Sequence, residues 1–362
     1  MNKQFWINKA KLQETQFVEA ELPAELAAGQ VLCRVDEVAF TANNITYAVA
    51  GVFMKYWDFF PTSDEAWGQV PVWGFADVVA SASDEIAIGE RLYGYWPLAS
   101  HAVLTAVSIK SSNFSDGAAH RQHLSPIYNS YVRTQNAPGF DQERLNSLLR
   151  PMFTTSFLLD DFLADNDFFG GKTIVLSSAS SKTGYGTAFL LKRNRPERGD
   201  YEIVGLTSEG NVPFVESLGC YDRVLAYEEV QAGLDASVPA VYADFSGNGR
   251  LRHTIHLHYG DQLKYDSAIG LTDWVNRGSG KGLPGVEPVM FFAPAQAQKR
   301  QKEWGGSVFM RNVHLAMIAF MGFAAGQMEV VALEGETAVS DTYQAMLNNQ
   351  APPKKGYILS LK

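Results

Sequence analysis

The chain has 362 residues, of which 46% are hydrophobic, 12% aromatic and 19% charged. This length predicts two or three domains, and this hydrophobic share excludes an intrinsically disordered chain. The formal net charge of −9 disfavours a nucleic-acid partner, because an acidic surface repels phosphate backbones. Two cysteines, Cys33 and Cys220, are too few for a disulfide framework or a four-cysteine zinc site.

Targeting and membrane-spanning patterns are missing from the sequence. Residues 1–17 contain three lysines and lack the apolar core of a signal peptide. The most apolar run, residues 315–325, is shorter than the roughly 18 residues that a membrane-spanning helix needs. We therefore expect a cytoplasmic protein without a membrane segment.

The first third of the chain has the pattern of β structure. Apolar and β-branched runs predict strands at residues 30–36, 70–80 and 91–96. Glycines separate these runs, which is typical of a small barrel or sandwich. Residues 111–146 are polar and predict either a long functional loop or a helical insertion.

The pattern changes near residue 148, where helical spacing begins. Strands then alternate with helices such as those predicted at residues 186–192 and 212–218. The predicted strands of this part are residues 173–176, 201–206, 223–225, 240–244, 264–269 and 288–292. Such alternation predicts an α/β fold with a doubly wound parallel sheet.

The turn after the first of these strands, residues 177–186, is rich in serine and leads into a helix. Small residues let backbone N–H groups approach a pyrophosphate at a helix N-terminus. The strict G-x-G-x-x-G pattern is absent, but Ser178, Ser181 and Gly184 lie three residues apart, with Lys182 and Thr183 between them. We predict a cofactor site in which hydroxyls replace part of the glycine function. The alternative is an ordinary turn with helix-capping serines.

The end of the second strand bears on the choice of cofactor. NAD-preferring folds usually carry an acid there that holds the ribose 2′-hydroxyl. Here the strand ends in Thr207 and Ser208, which favours NADP, although Glu209 follows closely. The alternative is that both hydroxyls only cap the next helix.

These segments resemble the medium-chain dehydrogenase/reductase superfamily, and most closely its zinc-free quinone oxidoreductase and enoyl reductase branches. The matching segments are residues 31–35, 89–94, 177–184, 187–190, 214–219, 244–249 and 343–361. More narrowly, residues 41–47, 71–76 and 150–157 resemble a branch catalogued as a domain of unknown function, DUF2855.

The resemblance implies a GroES-like β domain plus a Rossmann doubly wound parallel sheet. Residues 1–147, completed by 308–362, would form the GroES-like substrate domain, and residues 148–307 the dinucleotide-binding domain. In the superfamily a tyrosine matching Tyr227 helps to hold the adenosine 2′-phosphate, together with a lysine that is replaced here by Asn211. The strand end with Phe292 and Pro294 would lie near the nicotinamide.

The same resemblance argues against catalytic zinc. Zinc-dependent members carry a cysteine, a Gly-His-Glu motif and a four-cysteine lobe. The corresponding strand here, residues 73–76, contains no histidine, and four cysteines do not exist. His253, His256 and His258 do not share one helical face, so a metal site there is disfavoured.

A metal-free site needs side chains that bind the substrate and supply a proton. Asn44 is predicted to donate an amide hydrogen bond to a substrate carbonyl, and Tyr47 to donate a proton. The alternative is that the asparagine marks a turn and the tyrosine only packs. The aromatic segment at residues 54–61 predicts a pocket wall, with core packing and a homodimer contact as the other readings.

Three arginines are candidates for binding an anionic substrate group: Arg121, Arg133 and Arg150. For Arg121 and Arg133 a solvated or salt-bridged role is the better prediction, because charged side chains are usually paired or exposed.

The sequence thus predicts a metal-free NADP(H)-dependent oxidoreductase that transfers hydride to a small enone, quinone or ketone. A non-catalytic ligand- or nucleotide-binding protein on a reductase scaffold is the alternative, because Ser181 and Lys182 replace small glycines and Lys182 has the length to fill the pyrophosphate space. A third option, a reductase acting on a carrier-bound acyl group, would use residues 192–195 as a basic docking patch.

Overall fold

The computed structural model describes residues 1–137, 139–270, 273, 276, 278 and 282–362. The chain divides into two units. The first comprises Met1–Leu148 and Met328–Lys362, and the second Leu149–Gln327.

The first unit is built mainly of strands. In chain order its amino-terminal elements are β1 (Asn2–Asn8), β2 (Thr15–Ala20), β3 (Gln30–Phe40), α1 (Ala42–Val49), β4 (Trp67–Gly68), β5 (Pro71–Ser81), β6 (Arg91–Pro97), β7 (His101–Val107), β8 (Asn113–Asp116) and β9 (Ser130–Arg133).

The second unit alternates strands and helices, as its sequence pattern predicts. Its elements are α2 (Glu143–Asp165, which contains the boundary between the units), β10 (Thr173–Leu176), α3 (Lys182–Arg198), β11 (Glu202–Thr207), α4 (Val212–Ser217), β12 (Arg223–Ala226), α5 (Val230–Gly233), β13 (Ala240–Asp244), α6 (Gly249–Tyr259), β14 (Leu263–Ala268), β15 (Val289–Met290), α7 (Ala293–Trp304) and α8 (Gly306–Ala325).

Three carboxyl-terminal elements return to the first unit: β16 (Glu329–Glu334), α9 (Glu336–Leu347) and β17 (Lys355–Ser360). Strand β17 pairs antiparallel with β3, and β16 pairs in parallel with β17. The chain end therefore extends the sheet that contains β3.

A closed ring of strands forms the centre of the first unit. The order is β3-β5-β6-β9-β8-β7, and β7 pairs back onto β3. Such closure leaves no unpaired strand edge within the ring. Register shifts interrupt the pairing of the long strand β3 with β5, as bulges do where a strand bends. Residues 111–146 contribute β8 and β9 to this ring, so this polar stretch is in part strand rather than only loop or helical insertion.

The second unit contains a six-stranded parallel sheet in the order β12-β11-β10-β13-β14-β15. Strands β10 and β13 are buried along their whole length, which explains their continuous apolar sequences. The strand order reverses between β10 and β13, and ligands of such sheets bind outside the carboxyl ends of the strands at this point. The predicted α/β class with a doubly wound sheet is confirmed.

The first unit resumes at Met328 rather than at the predicted residue 308. The intervening helix α8 packs inside the second unit, where Phe320 stacks on Phe153 with ring centroids 4.6 Å apart and also contacts Phe189. In the described part of the chain, α8 alone is long and apolar enough to cross a membrane. Its buried face, which includes Phe309 and Met317, is typical of a core helix.

Candidate functional site

The turn that follows β10 lies at the carboxyl edge of the parallel sheet. Helix α3 begins directly after it, with Ser181 as N-cap, whose hydroxyl accepts a hydrogen bond from the Gly184 N–H at 3.1 Å. A Cβ on Gly184 would lie 2.8 Å from the Ser178 carbonyl oxygen, so this close approach requires glycine. The positive end of the α3 dipole favours an anion here.

Two tyrosines from neighbouring elements support this turn. Ser178 has a φ of 49°, a left-handed conformation that is strained for a residue with a side chain. Hydrogen bonds link the Tyr227 hydroxyl to both the backbone and the side chain of Ser178, and the Tyr221 hydroxyl donates to the Ala179 carbonyl at 2.9 Å. The structure thus brings together the predicted site residues Ser178 and Tyr227.

Burial raises the pKa of Tyr227 to about 12, which keeps its hydroxyl protonated at neutral pH. Burial also lowers the pKa of Lys182 to about 8, because desolvation disfavours the ammonium form. Lys182 is the first residue of α3, so its charge adds to that of the helix N-terminus. Both shifts leave cationic and neutral donor groups at the turn near neutral pH.

The end of β11 presents one hydroxyl to solvent. Thr207 is only 1% exposed within β11, whereas the next residue, Ser208, is exposed. Among the described residues, the Ser208 side chain makes no capping hydrogen bond to the following turn. This geometry therefore argues against the alternative that Ser208 only caps a helix. Ser208, and not Thr207, is the accessible hydroxyl.

A second loop at the same sheet edge is tied to the turn by a buried carboxylate that sequence reasoning did not single out as functional. Ser177, which follows β10, donates from its hydroxyl to Asp244 Oδ1 at 2.7 Å. Asp244 ends β13, and Oδ1 also accepts from the backbone N–H groups of Ser246 and Gly247. The only sequence clue was the resemblance of residues 244–249 to a superfamily segment.

The Asp244 carboxylate belongs to a buried network of acidic and basic side chains. Arg252 pairs with Asp244 at 2.7 Å and with Asp266 at 3.0 Å, and His256 contacts Asp266 at 2.8 Å. His256 Nδ1 lies 2.8 Å from the Pro284 carbonyl oxygen. This histidine is thus held by structural partners. Within the described residues, no group of three or more His, Cys, Asp and Glu side chains is arranged to hold a metal.

Phe292 and Pro294 lie at the start of α7, just after β15. Phe292 is 53% exposed, and the preceding Phe291 N–H donates to the Ala268 carbonyl at the end of β14. Because all strands of this sheet are parallel, the carboxyl end of β15 is on the same edge as the turn after β10.

In the first unit, the Asn44 side chain has a structural role. Its Oδ1 accepts from the Thr41 N–H at 2.7 Å, which caps α1, and its Nδ2 donates to the Pro71 carbonyl at 2.9 Å. The side chain is 3% exposed. This geometry joins α1 to β5 and corresponds to the turn-marking alternative rather than to an amide aimed at a substrate.

Tyr47, on the same helix, belongs to a cluster of five aromatic side chains, here called the tyrosine cluster: Tyr47, Tyr56, Trp73, Tyr95 and Tyr128. The Tyr47 and Tyr56 ring centroids are 4.5 Å apart, and those of Tyr95 and Tyr128 are 4.6 Å apart. The Trp73 indole N–H donates a hydrogen bond to the Tyr47 hydroxyl at 3.4 Å. Burial raises the pKa of Tyr47, so this phenol remains protonated.

The aromatic segment at residues 54–61 contributes to this cluster through Tyr56. The hydroxyls of Tyr56 and Tyr128 lie 3.3 Å apart, and Phe59 packs edge-on against the Tyr95 ring. Two aromatic segments far apart in sequence thus form one cluster, of which Trp73 and Tyr128 remain partly exposed.

The basic residues considered for ligand binding are mostly paired. Arg121 bonds Asp116 and Arg133 bonds Glu90, as the salt-bridge prediction for these two arginines requires. In the proposed docking patch, Lys192 donates to the Gly219 carbonyl at 2.9 Å, and Arg195 pairs with Asp222. These internal contacts remove much of the support for a carrier-docking surface.

Comparisons with known proteins agree with this architecture. The family described as "Protein of unknown function (DUF2855)" matches residues 38–352. No protein of curated function is significantly similar in sequence.

Several solved structures share the fold at low identity. CurA from Vibrio vulnificus in complex with NADPH is 13% identical, with a TM-score of 0.61, over 99% of both chains. The yhdH oxidoreductase from Salmonella enterica in complex with NADP is 15% identical, with a TM-score of 0.54, over 100% of both chains. A quinone oxidoreductase from Pseudomonas syringae pv. Tomato DC3000 is 14% identical, with a TM-score of 0.57, over 99% of this chain and 100% of that one.

Proposed function

We propose that this chain, which belongs to the DUF2855 family, is an NADPH-dependent reductase of a small enone, quinone or ketone. The observation that carries the proposal is the turn at residues 177–184, which joins β10 to the N-terminus of α3 at the carboxyl edge of the parallel sheet, where ligands of such sheets bind. The structural neighbours whose descriptions name NADPH, NADP or a quinone oxidoreductase support it.

The residues of the turn fit a dinucleotide. Glycine at position 184 lets the turn pack closely against the start of α3, whose N-terminus, together with the charge of Lys182, suits a pyrophosphate. Ser208 and Tyr227 are suited to the 2′-phosphate, since both are neutral donors. We assign Ser181 and Thr183 to the same turn, and Thr207 to its buried support.

When bound, NADPH supplies the hydride. Reduction of a carbonyl-conjugated bond also needs a proton and a donor to the developing oxyanion. Tyr47 is our candidate, because its hydroxyl accepts a hydrogen bond from Trp73 within the tyrosine cluster. Asn44 would act indirectly, by holding the start of α1 through Thr41 and Pro71. Phe292 and Pro294 would lie beside the nicotinamide. No metal ligand enters this scheme.

Equilibrium titration with NADPH and NADH, followed by nucleotide fluorescence, tests the cofactor assignment. We expect saturable NADPH binding that is tighter than NADH binding. Ser208→Asp should weaken NADPH by repelling its 2′-phosphate and leave NADH nearly unchanged. Ser217→Asp, at an exposed serine at the end of α4, is the matched control and should change neither. A folded protein that binds no NADPH at millimolar concentration would contradict the proposal.

A non-catalytic nucleotide- or ligand-binding protein is the second candidate, because Lys182 stands at the first position of α3 and is only partly exposed. A side chain of this length would compete with a pyrophosphate for the same space. Under this alternative, Lys182→Ala should strengthen NADPH binding, whereas the reductase proposal expects it to weaken.

A further inference from the structure

A buried carboxylate with many hydrogen bonds lies where the strand order of the parallel sheet reverses. Asp244 is fully buried at the end of β13. Its Oδ1 accepts from five donors between 2.7 and 3.1 Å: the hydroxyls of Ser177, Tyr242 and Ser246, and the backbone N–H groups of Ser246 and Gly247. A single oxygen attracts so many donors because the carboxylate is charged.

Ser177 closes this arrangement from the other side. Its hydroxyl donates to Asp244 and accepts from the backbone N–H groups of Phe245 and Ser246, at 3.0 and 3.1 Å. The Ser177 N–H in turn donates to the Ala243 carbonyl at 3.1 Å. The first residue of the turn at 177–184 is therefore fixed to the first residues of the loop after β13.

The two loops that are joined in this way border the point where a doubly wound sheet binds its ligand. That crevice opens between the strands at which the order reverses, here β10 and β13. A small displacement of either loop would move backbone N–H groups that contact the ligand. Arg252 holds the Asp244 carboxylate in place, because its guanidinium pairs with both Asp244 and Asp266.

We propose that Ser177 and Asp244 are positioning residues for the nucleotide: the hydroxyl-carboxylate pair sets the distance between the turn after β10 and the loop after β13. This inference rests on the proposed NADPH site. The pair touches no ligand atom in this scheme and acts through the backbone of residues 178–184 and 245–247.

Ser177→Ala removes the link and changes little volume. We expect NADPH binding to weaken about tenfold, which corresponds to about 1.4 kcal/mol. This value is within the range expected for the loss of one or two hydrogen bonds. Ser267→Ala is the matched control, because Ser267 is a buried serine of the same sheet whose hydroxyl has no partner among the described residues. This control should bind NADPH like the wild type.

Asp244→Asn provides the second arm. It keeps an oxygen for the five donors but loses the ion pair with Arg252, so we expect a lower unfolding temperature with NADPH affinity within about threefold of wild type. If Ser177 had a purely structural role, Ser177→Ala would lower stability without changing the NADPH affinity of the folded protein.

The outcomes separate the two ideas. If the wild type binds no NADPH, the proposed function fails. If the wild type binds and folded Ser177→Ala binds within twofold of it, the positioning role is wrong. It is also wrong if Asp244→Asn, while folded, loses as much affinity as Ser177→Ala.

Discussion

Gly184→Ala tests the geometry of the turn most sharply. The added Cβ would lie 2.8 Å from the Ser178 carbonyl oxygen and 2.9 Å from the Ser181 hydroxyl. Ser178 is already in a left-handed conformation and bonded to Tyr227, so it has little freedom to retreat. The turn or the first residues of α3 must therefore shift.

The expected change in the free energy of unfolding follows from two opposing effects. Overpacking costs about 1–3 kcal/mol, while exchanging glycine for alanine in a helix gains up to about 1 kcal/mol. We expect the free energy of unfolding of the second unit to fall by about 1–2 kcal/mol. NADPH affinity should fall at least tenfold, because the N–H groups that approach the phosphates are displaced.

Chemical denaturation followed by circular dichroism measures the stability, and each transition is fitted separately because two units need not unfold together. Gly306→Ala, at the first residue of α8, is the control, since an added Cβ there would meet no described atom within 4 Å. We expect this control to stay within about 0.5 kcal/mol of wild type. The reasoning is refuted if Gly184→Ala matches the Gly306→Ala variant in both stability and NADPH affinity.

Three other outcomes are expected. NADPH affinity should decrease as pH rises above about 8, where Lys182 loses its proton, and titrations of Lys182→Met should lack that decrease. Tyr47→Phe should lower kcat by about 10²–10⁴ without changing the Kd for NADPH, as measured by steady-state kinetics and titration; an unchanged kcat would remove Tyr47 as proton donor. Asn44→Ala should destabilise the first unit by about 2 kcal/mol in denaturation, because the Thr41 cap and the Pro71 contact are lost, with NADPH affinity unchanged.

The parallel sheet was predictable because its strands carry a strong local pattern. Strands β10 and β13 are continuous apolar runs in the sequence and fully buried in the structure. The hydrogen bonds between Ser178 and Tyr227 were not predicted: the superfamily resemblance assigned both residues to the cofactor site, but 48 residues lie between them in the sequence. Periodicity alone carries no information about such a contact.

Features that depend on tertiary contacts were harder to predict from the sequence. Helix α8 lies in the second unit because Phe320 stacks on Phe153, which the helical pattern of α8 alone cannot reveal. Asn44 illustrates the same limit within one helix. The sequence allowed both a turn-capping and a substrate-binding asparagine, and only the Thr41 and Pro71 contacts distinguish them. Likewise, the contact between the Tyr56 and Tyr128 hydroxyls joins residues that are 72 positions apart in the sequence.

The central claim is that NADPH binds at the turn after β10. Hydrogen–deuterium exchange with and without NADPH measures this directly, because ligand contacts slow the exchange of the backbone N–H groups they cover. The account predicts slower exchange in residues 177–186 and 207–211 on adding NADPH, with a smaller effect from NADH at residues 207–211. Saturating NADPH that leaves exchange at residues 177–186 unchanged would contradict it.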